Sequence, residues 1–98
     1  MQLVIFRLGR ENYGVPVARV KEIIRPIDAF AVPGMTGPVE GVINLRGEII
    51  PVLRVHGLLG VDGGSGGDAR KRRIVILDAD GGGFGFLVDE VTEVVRVS

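Results

Sequence analysis

The stretch GVINLRGEIIPVLRV, from Gly41 to Val55, limits the possible folds of this chain more than any other. Val42, Ile43 and Leu45 lead into Arg46-Gly47, and Glu48 to Val55 leads out. Gly47 supplies the positive φ that a tight hairpin turn wants. Side chains alternate along a strand, so Ile49, Pro51, Leu53 and Val55 share one face and Ile50, Val52 and Arg54 share the other. Both faces are partly apolar, as expected when one meets a core and the other a partner or a second barrel. Pro51 has no N–H to donate, which predicts an edge strand or a bulge.

The remaining segments fit around this hairpin. Leu3 to Leu8 and Tyr13 to Val17 read as strands joined by the polar turn Gly9-Arg10-Glu11-Asn12. Val17, Val20 and Ile24 recur at helical spacing, which predicts one or two helical turns ended by Pro26. Ile27 to Pro38 is irregular, with Pro33-Gly34 and Gly37-Pro38 as turn markers. Leu58 to Gly60 closes the first unit. Residues 61–72 combine Gly63-Gly64-Ser65-Gly66-Gly67 with a basic run, the composition of a flexible loop or of an inserted linker. Arg73 to Leu77 and Phe84 to Val88 form a second hairpin around Asp78 to Gly83, and Val91, Val94, Val95 and Val97 add a strand. The expected fold is mainly β: small antiparallel barrels in one domain, with residues 1–60 mostly in a first part and 73–98 in a second.

Composition agrees. The chain has 98 residues, 16 of them Gly, and no Trp. Val, Ile and Leu must therefore build the core, and β-branched residues suit a pleated, half-buried surface. Twelve basic and twelve acidic side chains cancel, so no net field draws the chain to nucleic acid or to an anionic membrane. Cysteine is absent, which excludes disulfides and zinc–thiolate sites. The N-terminal run lacks a basic leader, and no stretch approaches the roughly 18–20 apolar residues of a membrane span. These features lead us to expect a soluble, cytoplasmic chain without cofactor or metal.

Catalysis needs a nucleophile, a base or a metal. The hydroxyl inventory is Ser65, Ser98, Thr36 and Thr92, and the single histidine is His56. A triad would have to use Ser65 in the Gly-rich loop, where near-attack geometry is not held. His56 reads as a surface residue or, at most, a partner contact. Asp78-Ala79-Asp80-Gly81 lacks the third ligand and the terminal Glu of a calcium loop, and reads as a hairpin turn. Arg70-Lys71-Arg72-Arg73 supports an alternative function, a small-barrel nucleic-acid binder. It lacks the interleaved aromatics of single-strand binders, and a solvated loop guarding the edge of the next strand fits it better. Asp89-Glu90 and Glu93 read as a polar turn in an apolar segment. Glu22 and Arg46 are harder to place. The Arg46 fork suits a carboxylate or helix-end carbonyls, and the other reading is plain solvent exposure.

Taken in order, the segments resemble the CheW-like domain family of bacterial chemotaxis adaptors. The matching stretches are Phe6 to Gly9 with Tyr13 to Val17, Val20 to Ile23, Val32-Pro33, Gly41 to Gly47 continuing through Ile49 to Val52, Gly85 to Val91, and Glu93-Val94. The central hairpin is the most specific of them. The resemblance implies two SH3-like barrels with a hydrophobic groove between them, and a non-catalytic scaffold. That scaffold couples the cytoplasmic tip of a methyl-accepting chemoreceptor to the regulatory domain of a chemotaxis histidine kinase. By motif position, Val20, Glu22, Gly41, Asn44 and Arg46 are the candidate partner contacts.

Two departures stand out. Where the family usually has an Asp, an apolar residue and an Arg, this chain has Arg54, Val55 and His56. The family also continues beyond Val97 with strands that complete a barrel. A molecule ending at Ser98 is therefore expected to leave the second barrel incomplete and to exchange strands in a homodimer.

Overall fold

The computed structural model describes residues 1–34, 37–59, 68–80 and 82–98. Among these residues eight strands form two sheets: β1 Gln2–Leu8, β2 Glu11–Pro16, β3 Val20–Ile24, β4 Val39–Leu45, β5 Glu48–Leu53, β6 Arg73–Ala79, β7 Gly82–Val88 and β8 Glu90–Arg96. A five-residue helix, α1 Val55–Leu59, follows β5. The Gly-rich string Gly63 to Gly67 lies outside the described residues. Among the described residues, no helix is long and apolar enough to cross a membrane.

Each predicted hairpin forms. Leu45 pairs with Glu48 across the two-residue loop Arg46-Gly47, whose φ angles are 52° and 84°. Two successive positive φ values match the twist of the flanking strands. Strands β6 and β7 pair from Arg73↔Val88 to Ala79↔Gly82, so Asp78 and Ala79 belong to the ladder and the turn begins at Asp80.

The sheets do not follow chain order. One has the order β2-β1-β8 and the other β3-β6-β7-β5-β4. Both long hairpins lie in one five-stranded sheet, joined by parallel pairing of Val52 with Gly85 and Leu53 with Phe86. The three-stranded sheet consists of β1, β2 and β8, where Gln2 pairs with Arg96 from the far end of the sequence. Pairing that distant leaves no local signal in the sequence.

Three local expectations are corrected. Val17–Arg19 makes one 3₁₀ turn, but Val20 is already extended and Val20–Ile24 is a strand. Positions 20 and 24 are four apart, which satisfies a period of two as well as a helical one, and pairing with β6 decides. The short helix is instead at Val55–Leu59. Pro51 is not on an edge, because β5 lies between β7 and β4. It pairs with Val42, whose own N–H and C=O both bond Phe30. No ladder bond is therefore asked of Pro51 on that side, and the β7 ladder begins one residue later. Strand β6 is likewise internal, so the basic run before it guards no edge.

Two apolar clusters hold the sheets. Ile43, Ile50, Val52, Ile74 and Ile76 fill the interior of the five-stranded sheet. Phe6 and Leu8 from the small sheet meet Val75, Phe86 and Val88 from the large one. The Phe6 ring lies 5.3 Å from Phe86 and 6.0 Å from Tyr13 between centroids. Ile74, Val75 and Ile76 are all buried because β6 has a core on each face.

Asp89, between β7 and β8, is the one buried charged residue among those described, 5% exposed. Its Oδ2 accepts from the Gly9 N–H at 2.6 Å, and its own N–H donates to the Arg7 carbonyl at 3.0 Å. Arg7 Nη1 stands 4.0 Å and His56 Nε2 3.5 Å from the same oxygen. This corrects two expectations. Asp89 occupies a bend, but a buried one, and the His56 side chain is only 12% exposed. Asp89→Ala should cost about 1–3 kcal/mol, because the Gly9 N–H loses its acceptor. Urea unfolding checks this, and an unchanged midpoint would contradict it.

Candidate functional site

The tip of the β4–β5 hairpin gathers most of the candidate contacts. Arg46 has a left-handed backbone, where Asn or Asp is usual and Arg is not. Its side chain accounts for the choice. Nη1 donates to Glu22 Oε2 at 3.1 Å, and Nη2 donates to Glu22 Oε1. The pair is bidentate, the geometry an arginine fork matches and a lysine does not. Beside it, Lys21 Nζ donates to Glu48 Oε2 at 3.2 Å. Strand β3 is one margin of the five-stranded sheet and β4 the other. These two ion pairs therefore connect the β3 margin to the tip of the β4–β5 hairpin, in a sheet that has curled toward closure.

The Arg46 hydrogen bonds hold the Glu22 carboxyl below its ordinary value of 4.5, and Glu22 in turn raises Arg46. A carboxylate with a depressed folded pKa adds stability above its unfolded pKa, and that stability is lost as pH falls through the folded value. Glu22→Gln should therefore lower the urea midpoint more at about pH 7 than at about pH 3, because the stability from this pair falls away as pH drops through the folded value. An equal effect at both pH values would contradict the assignment.

Asn44 shapes this tip from within, and Gly41 shapes the hairpin farther back, where it pairs with Val52. Asn44 Oδ1 accepts from the Gly47 N–H at 2.9 Å, closing the turn. Gly41 is buried, and a Cβ there would stand 2.7 Å from the Phe30 carbonyl oxygen. The arm carrying Phe30 bridges to Val42 at this point, so only glycine allows so close an approach. Gly41→Ala should cost about 1–3 kcal/mol by overpacking, measured by urea unfolding, and an unaltered midpoint would refute the steric account. Val20 is half-buried, pairs with Leu77 and packs against the inter-sheet core. Of the five candidates, Glu22 and Arg46 thus touch directly, Asn44 and Gly41 support the hairpin, and Val20 lies at the start of β3.

A second feature lies between the sheets. A groove of about 550 Å³ is lined by Val15 from β2, Arg19 from the 3₁₀ turn, Leu77 to Asp80 from β6 and its turn, and Phe84 from β7. Its floor is apolar and its rim charged. Sequence reading placed no candidate there, because Val15 and Phe84 are 69 positions apart and meet only through the pairing of distant strands.

The basic run is partly engaged locally. Asp68 caps the 3₁₀ turn Ala69–Lys71, and its carboxylate accepts from the Arg70 side chain at 3.2 and 3.0 Å. These bonds hold the Asp68 carboxyl below its ordinary range, the side-chain bond most. Arg73 Nη1 donates to the carbonyls of Arg70 and Arg72, and Lys71 stands 4.0 Å from Glu90. At the position that departs from the resembled family, Arg54 Nη2 donates to Glu40 at 3.1 Å.

Comparison with known proteins adds an independent line. The profile of the CheW-like domain family matches residues 2–98. The chain is 36% identical over 99 residues to "Chemotaxis protein CheW" of Treponema pallidum, covering 99% of this chain and 58% of that one. It is 32% identical over 97 residues to the protein of the same name from Thermotoga maritima, with 99% and 62% covered. Among solved structures, scaffolding protein TtCheW from Thermoanaerobacter tengcongensis superposes with a TM-score of 0.88 at 34% identity, covering 99% of this chain and 62% of that one. The chain thus spans about three fifths of the length of these relatives.

Proposed function

The chain belongs to the CheW-like domain family, and from that premise we propose that it acts as a non-catalytic chemotaxis adaptor, joining a chemoreceptor to a histidine autokinase in the cytoplasm. The observation that carries this reading is the match along the whole chain to proteins named for chemotaxis and to one solved as a scaffolding protein. Two surfaces serve the two partners. The hairpin tip, with Arg46 and Glu22 exposed enough to be reached and Asn44 and Gly41 holding its shape, meets the kinase's regulatory domain. The groove between the sheets takes the receptor's helical tip, an apolar helix face laid into an apolar groove. Val20 adjoins both surfaces, since it follows Arg19 of the groove and precedes Lys21 and Glu22.

The tip is tested with a substitution its backbone accepts. Asn tolerates the left-handed conformation of residue 46, so Arg46→Asn removes the guanidinium without straining the turn. This variant should unfold cooperatively like wild type and bind the kinase regulatory domain at least about five-fold more weakly, as loss of a bidentate charged contact implies. Calorimetric titration with a chemotaxis kinase regulatory domain measures it. Wild-type affinity in a folded Arg46→Asn protein would remove the tip from the proposal.

A further inference from the structure

We infer that the groove between the sheets selects an amphipathic helix that carries a lysine or arginine beside its apolar stripe, and that Asp78 and Asp80 are the residues that read this charge. The inference rests on the groove reading above and adds to it the chemistry of the occupant.

Val15, Leu77 and Phe84 are each half-buried, so the floor offers apolar surface without being closed. At one end the rim is the end of β6, which bears Asp78, and the turn that follows it, which bears Asp80, both exposed. Neither carboxylate has an ion-pair or hydrogen-bond partner among the described residues, a state they share with Glu11, Asp28 and Glu93, none of which lines the groove. Among the described residues Arg19 is the one cation lining the groove. It would continue the β3–β6 ladder opposite Asp78, one step beyond Val20↔Leu77, yet its guanidinium makes no ion pair within 4.0 Å among the described residues. Two carboxylates against one guanidinium leave the rim acidic.

The form of the occupant follows from the wall. At Leu77 strand β6 is paired on both sides, with β3 and with β7. At that residue β6 therefore has no free main-chain groups for an added strand and presents side chains instead. A helix satisfies its own backbone groups and can lay a stripe of apolar side chains on such a surface. A flanking lysine or arginine can lie along the apolar floor with its stem and reach the carboxylates with its head. The chain as a whole carries no net charge, so a preference for a basic occupant has to come from the local rim.

The experiment uses two synthetic helical peptides with the same leucine stripe, one flanked by lysines and the other by glutamates. Each is titrated into the 98-residue chain and followed by fluorescence anisotropy. Exposed charge pairs are each worth up to about five-fold, so the lysine peptide should bind about ten-fold more tightly. Added salt should shrink that preference. Asp78→Asn/Asp80→Asn should abolish it with an unchanged unfolding transition, and Val15→Ser should weaken both peptides. Equal wild-type affinities that both fall in Val15→Ser would overturn the charge inference and leave the groove reading in place. A preference that survives Asp78→Asn/Asp80→Asn would also overturn the charge inference. Failure of both peptides to bind would overturn the inference together with the groove reading.

Discussion

The buried carboxylate of Asp89 is the constraint on which the rest of the structure depends. A charged group out of water is costly unless paired and hydrogen-bonded. Asp89 meets that requirement only where the two sheets meet. Its carboxylate takes the Gly9 N–H from the turn after β1, its N–H reaches the Arg7 carbonyl, and Arg7 and His56 face the same oxygen. The chain passes from the large sheet to the small one at this residue. The bonds fix the crossing geometrically, and the Phe6–Phe86 contact nearby supplies the apolar part of the same joint.

One of the two proposed surfaces derives from this arrangement. The groove exists because β2 of one sheet stands beside β6 and β7 of the other, and its width is set by how firmly the sheets are held. The hairpin tip depends instead on how the large sheet curls. Arg46 reaches Glu22 only because the margins of that sheet approach each other, and Gly41 permits the Phe30 arm to lie against β4. An exposed ion pair contributes little stability on its own. Its presence at a residue whose backbone favours Asn is better accounted for by what the guanidinium can contact.

Some of this was legible in the residues. Arg46-Gly47 between alternating apolar positions specified a tight hairpin, and the β6–β7 hairpin was equally plain from its flanking runs. The strand Val20–Ile24 was not, because positions 17, 20 and 24 fit either period and the deciding pairing with β6 lies some 50 residues away in the chain. Pro51 misled in the same way: its missing N–H argued for an edge, whereas Phe30 takes the hydrogen bonds of its partner Val42. Asp89 looked like part of a polar turn because nothing in Asp89-Glu90 reveals that one carboxylate is buried and the other not. The pairing of Glu22 with Arg46 was open from spacing, and only the curl of the sheet resolves it.

The central claim is that the two sheets act as one rigid unit joined at Asp89, with the groove as a consequence. Native-state hydrogen exchange tests it most directly. The amides of Gly9 and Asp89, and those of β1 and β8 that pair within the small sheet, should exchange with the same free energy and denaturant dependence as the amides of β6 and β7. Exchange of the small-sheet amides at a much lower free energy, with the large sheet still protected, would show that the sheets open independently and would contradict the account.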